Sequence, residues 1–155
     1  MKKGQRGFIQ LELLCAAALL SYCAAQLLPC LQVWKSYHHK TQLQIAAGML
    51  AEDLRSLQSQ VMFHHCSSQF RLIPFSNSSG YSIAYGNPAT VLLSRSFAQH
   101  HCAGVYFTNT LRLGFASSGS PSSTGTLVLS HQELQDKAMS VELQPVTGRV
   151  LVYES

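Results

Sequence analysis

Three adjacent histidine pairs occur in this chain: His38-His39, His64-His65 and His100-His101. The last two are each followed by a cysteine, Cys66 and Cys102. Imidazole and thiolate are the usual ligands of zinc, and two cysteines with two histidines would complete a tetrahedral site. Neither His-His-Cys segment has a close C-x₂-C or H-x₃-H spacing, so such a site would depend entirely on the fold. Read one by one, the same residues are surface imidazoles and free thiols. No metal and no cofactor is expected. Acid–base chemistry is poorly supplied, because the only aspartates are Asp53 and Asp136. No Ser-His-Asp set or carboxylate pair stands out, so no enzymatic activity is expected. One carboxylate is nevertheless in an odd place. Glu12 is the only formal charge from Phe8 to Trp34, in surroundings where an unpaired acid costs about 3 kcal/mol.

The segment around Glu12 differs in composition from the rest of the chain. Residues 1–7 carry Lys2, Lys3 and Arg6 and no anion. Residues 13–34 are uncharged and rich in leucine and alanine, both strong helix formers. About 20 helical residues span a bilayer core, so this stretch reads as a membrane helix. The cations ahead of it put the amino terminus on the cytoplasmic side. The apolar run is too long for a cleaved secretory signal, and no small-residue cleavage site follows it. Cys15, Cys23 and Cys30 share roughly one face of this helix and read as small apolar filler.

Gly7-Phe8-Ile9-Gln10-Leu11-Glu12 resembles the processing site of type IV prepilins and type II secretion pseudopilins. The resemblance implies cleavage after Gly7 by a prepilin peptidase and N-methylation of Phe8. Glu12 then stands fifth from the new terminus, where the family pairs it with the free amino group of a neighbouring subunit. Pro29 falls where many pilins carry a proline that bends or locally melts the helix; proline removes one helical hydrogen bond and crowds the preceding turn. In a dry bundle of helices, an acid–amine pair sets register, and the unpaired charge is costly.

Beyond the anchor, residues 42–62 carry Leu43, Ala46, Ala47, Leu50, Leu54, Leu57 and Val61 at helical spacing, opposite Glu52, Arg55, Gln58 and Gln60. This predicts an amphipathic continuation of the same helix, packed against a sheet. From Phe63 the pattern turns to short β-branched or aromatic runs separated by Ser, Gly, Pro and Asn. The runs are residues 70–75, 81–85, 90–93, 104–107, 111–115, 126–129, 139–143 and 149–153. Residues 117–125 read as a loop. The expected fold is α+β and pilin-like: one long N-terminal helix, its first half transmembrane, packed against a C-terminal antiparallel β-domain. The expected segments are a leader at 1–7, a transmembrane and filament-core helix at 8–34, an amphipathic helix at 35–62 and the β-domain at 63–155.

The carboxy-terminal half is similar to GspH/FimT-type minor pseudopilins through Phe115 to Gly119, Gly125-Thr126-Leu127-Val128-Leu129 and Gly148-Arg149-Val150. The resemblance implies a structural subunit of an envelope-spanning filament serving type II secretion, a type IV pilus or competence DNA uptake. The alternative is a pilin-like tip receptor that binds DNA or an exported protein through its β-domain. Implied partners are other pilin or pseudopilin subunits, the prepilin peptidase, the inner-membrane assembly platform and membrane lipid. A single-pass bacterial cytoplasmic-membrane topology follows, with the C-terminal domain outside before assembly into a filament. There disulfides persist, and Cys66–Cys102 is the simplest reading of the outer cysteines, beside free thiols and zinc. Closing a loop of about 35 residues would stabilise by roughly 3–4 kcal/mol. DNA is weakly supported. The net charge is +4, and Lys2, Lys3 and Arg6 leave with the leader, so 8 cations face 7 anions afterwards.

Overall fold

The computed structural model describes residues 4–64, 70–86, 89–116 and 118–154. Helix α1 (Gly4–His64) is followed by β1 (Phe70–Pro74), β2 (Gly80–Tyr85), β3 (Thr90–Ser96), a 3₁₀ turn (Phe97–His100) and β4 (Val105–Phe107). Then come β5 (Leu113–Phe115), β6 (Pro121–Ser123), β7 (Gly125–His131), β8 (Leu134–Leu143) and β9 (Val150–Glu154). The chain divides into two compact units, Met1–Tyr37 and His38–Ser155.

In the first unit the described residues are helical from Gly4, ahead of the expected start at Phe8. Pro29 lies inside α1, which runs through it without interruption. Every residue from 10 to 37 is exposed.

The second unit is built on alternation. Its strands form two antiparallel sheets, ordered β3-β2-β1-β5-β6 and β4-β7-β8-β9. In β7 the inward positions are Leu127, Leu129 and His131. Leu127 faces Val141 across the ladder and Leu129 faces Met139, so one side of the β7–β8 pair is continuously apolar. In the other sheet Leu72 sits between Ile83 and Leu113. The helical stripe read from the sequence is buried as expected. Leu43, Ala46, Ala47, Leu50, Leu54, Leu57 and Val61 join one core with Leu72, Phe115, Leu127, Leu129 and Leu143.

Some elements differ from the sequence reading. β6 lies inside the segment expected to be loop, and β8 begins at Leu134 rather than Met139. The 3₁₀ turn was not foreseen; Phe97, buried within it, stacks near Phe107 with ring centroids 5.3 Å apart.

Candidate functional site

In the first unit the candidate residues follow one another along one helix. Gly7 and Phe8 are helical, and Glu12 is exposed one turn beyond Phe8. Leu13, Leu20 and Trp34 are 71%, 72% and 65% exposed, although a leucine or tryptophan of a soluble fold is normally covered. The helix holds a stretch long and apolar enough to cross a membrane. Ser21 satisfies its hydroxyl locally, donating to the Ala17 carbonyl at 2.8 Å, and so presents little polarity outward. Cys15, Cys23 and Cys30 are exposed with the rest. Around Pro29 a shallow apolar concavity of about 410 Å³ is lined by Pro29, Cys30, Val33, Trp34 and Tyr37.

In the second unit polar chemistry gathers at two points on α1. At the first, the Asp53 carboxylate accepts from the Tyr81 hydroxyl at 2.6 Å and from Arg95 through Nε at 2.6 Å and Nη2 at 3.2 Å. The Asp53 side chain is 11% exposed, so three donors replace the water it has lost. Burial raises the Tyr81 phenol far above its ordinary range; the hydrogen bond to Asp53 and the charge of that carboxylate add to this, and Arg95 partly offsets them. The arginine fork and the phenol occupy three acceptor sites of this carboxylate. It fastens α1 to β2 and β3.

The second point is histidine-rich. His131 is buried, and its Nε2 lies 3.2 Å from Gln42 Oε1 and 3.1 Å from the Ala103 carbonyl. Gln42 also meets His39 Nδ1 at 3.3 Å and donates from Nε2 to the His101 carbonyl at 2.9 Å. Two of the three histidine pairs therefore meet, His39 through its ring and His101 through its backbone. His131 was not singled out from the sequence, although the alternation Leu127, Leu129, His131 already puts it on the inward face. Cys102 is buried, which pushes its thiol up. Cys66, its expected partner, lies outside the described residues, as does His65. Among the described residues no group of three His, Cys, Asp or Glu side chains could hold a metal ion.

An α+β chain with one long N-terminal helix, whose later turns pack against antiparallel sheets, has a type IV pilin-like fold. A crystal structure of the type IV minor pilin FimU of Pseudomonas aeruginosa is similar to this chain, with a TM-score of 0.59 over 76% of this chain and 92% of that one. The two sequences are 16% identical, so the likeness is one of fold. The chain matches no protein-family model and no curated protein.

Proposed function

We propose that this chain is a structural, pilin-like subunit of an envelope filament, held in the bacterial cytoplasmic membrane by its N-terminal helix before assembly. The observation that carries this reading is the exposure of residues 10–37, a helical run that is uncharged from 13 to 34 and rich in leucine and alanine, in a chain whose later helical turns bury one apolar face. Such a surface in water amounts to an aggregation site. It is stable in a bilayer, and afterwards among the same helices of neighbouring subunits. Lys2, Lys3 and Arg6 orient insertion, the peptidase removes the leader after Gly7, and Phe8 is methylated. Glu12 then finds the new amine of an adjacent subunit, while the assembly platform extracts the helix from lipid. The machine served is a type II secretion system, a type IV pilus or a competence apparatus.

The test follows the carboxylate. Glu12→Ala removes a charge the bilayer disfavours, so membrane recovery of the variant equals or exceeds that of the parent. Its recovery in sheared filaments, or crosslinked to other subunits, falls at least about tenfold if one buried pair worth a few kcal/mol sets the register. Filament recovery equal to the parent's contradicts the role given to Glu12.

A further inference from the structure

The histidines at the start of the packed part of α1 are arranged in a way that filament assembly does not use. Backbone N–H of Glu133 donates to His131 Nδ1 at 3.1 Å. That nitrogen must therefore carry the lone pair, and Nε2 carries the hydrogen. Both neighbours of Nε2, Gln42 Oε1 and the Ala103 carbonyl, are acceptors, which fits this one neutral tautomer. The ring has no spare position for a second proton. Placing one on Nδ1 breaks the bond from Glu133 and sets two N–H groups against each other. The site is also tightly closed, since a Cβ on Gly104 would meet His131 Nε2 at 3.0 Å.

Among the described residues, titratable groups face His131 from two elements. From α1, His39 lies against it with ring centroids 4.3 Å apart and an interplanar angle of 34°, and His38 stands next to His39 at 5.9 Å. From the turn between β7 and β8, Glu133 contributes an anion that acts on His131. From the loop before β4 come the Ala103 carbonyl and, through Gln42, the His101 carbonyl. A proton on either stacked ring thus puts a cation beside the other.

We propose that His39, Gln42 and His131 form a proton-sensitive clasp. It is closed while the imidazoles are neutral, and acid loosens the first packed turns of α1 from the β7–β8 turn and the loop before β4. Burial lowers the His131 pKa below its ordinary value, and His39 lowers it further; the Ala103 carbonyl and Glu133 oppose this. The sign follows. The unfolded or opened state binds the proton more readily than the closed one, so closure is favoured above about pH 6.5 and is lost as pH falls. One such histidine multiplies the open-to-closed ratio by at most about tenfold per pH unit, and only between its open-state and closed-state pKa values.

The experiment uses the full chain in detergent. Its thermal midpoint is followed between pH 8 and pH 5 by circular dichroism, beside His131→Gln, and the His131 ring is titrated by NMR in the unsubstituted protein. The clasp predicts that the parent loses thermal midpoint on acidification more steeply than His131→Gln, and that His131 titrates below an ordinary histidine. If His131→Gln does not fold, His39→Gln takes its place, with a shallower acid slope again expected. Parallel slopes for parent and variant, or a His131 titration at or above the ordinary value, overturn the proposal.

Discussion

Asp53 ties the helix to two strands through a single carboxylate. It is one of two aspartates, and, three residues after Leu50 and four before Leu57, it flanks the buried leucine stripe. Its partners Tyr81 and Arg95 come from strands 28 and 42 residues away, and no local pattern announces them. Removing the Tyr81 hydroxyl as Tyr81→Phe deletes one bond to a charged acceptor, with an expected loss of about 1.5–3 kcal/mol in denaturant unfolding near neutral pH. The raised phenol adds a pH signature. The unfolded tyrosine ionises above about pH 10 while the folded one keeps its proton, so the parent loses stability through that range. Tyr81→Phe flattens that part of the alkaline limb; an unchanged alkaline slope would mean that Asp53 does not hold the phenol as described. The same long separation hid the histidine cluster, for Gln42 and His131 are 89 residues apart. By contrast, Gly7, Phe8 and Glu12 form a pattern that is local in the sequence and needs no fold to be noticed.

At the scale of elements, helix α1 carries two kinds of leucine. Leu50 has no exposed surface, whereas Leu20 is 72% exposed. Leu50→Ala should cost about 2–5 kcal/mol, from lost transfer energy and the cavity left behind. Leu20→Ala should leave unfolding of the second unit within about 0.5 kcal/mol of the parent. Equal effects would show that the burial pattern is wrong. The packed stripe could be read beforehand because helical periodicity is a strong signal over several turns. The longer strands were legible for the same reason, with inward residues alternating over many positions, as in β7 and the second half of β8. β6 was not legible. It has three residues, Pro-Ser-Ser, at the outer edge of its sheet and none fully buried. A proline is tolerated there because an edge strand need not donate every N–H, and a pattern of that length cannot be told from a turn. The first half of β8 was missed because Asp136 and Lys137 are exposed and hide the ladder behind polar side chains.

For the whole molecule, charge and exposure point the same way. The excess of 11 Lys and Arg over 7 Asp and Glu falls to 8 over 7 once Lys2, Lys3 and Arg6 are set aside. The basic character is thus concentrated at one end, ahead of the apolar helix, as the proposed membrane insertion requires. The apolar character is concentrated likewise, in the exposed helical run of the first unit. A pilin-like fold with that run makes sense as a part made for assembly. The most direct test is intact mass and amino-terminal sequence of the chain purified from membranes of cells with an active prepilin peptidase, and from matched cells lacking it. The account predicts a chain that begins with N-methylated Phe8 in the first and an unprocessed chain in the second. A chain retaining Met1 to Gly7 in both would contradict it.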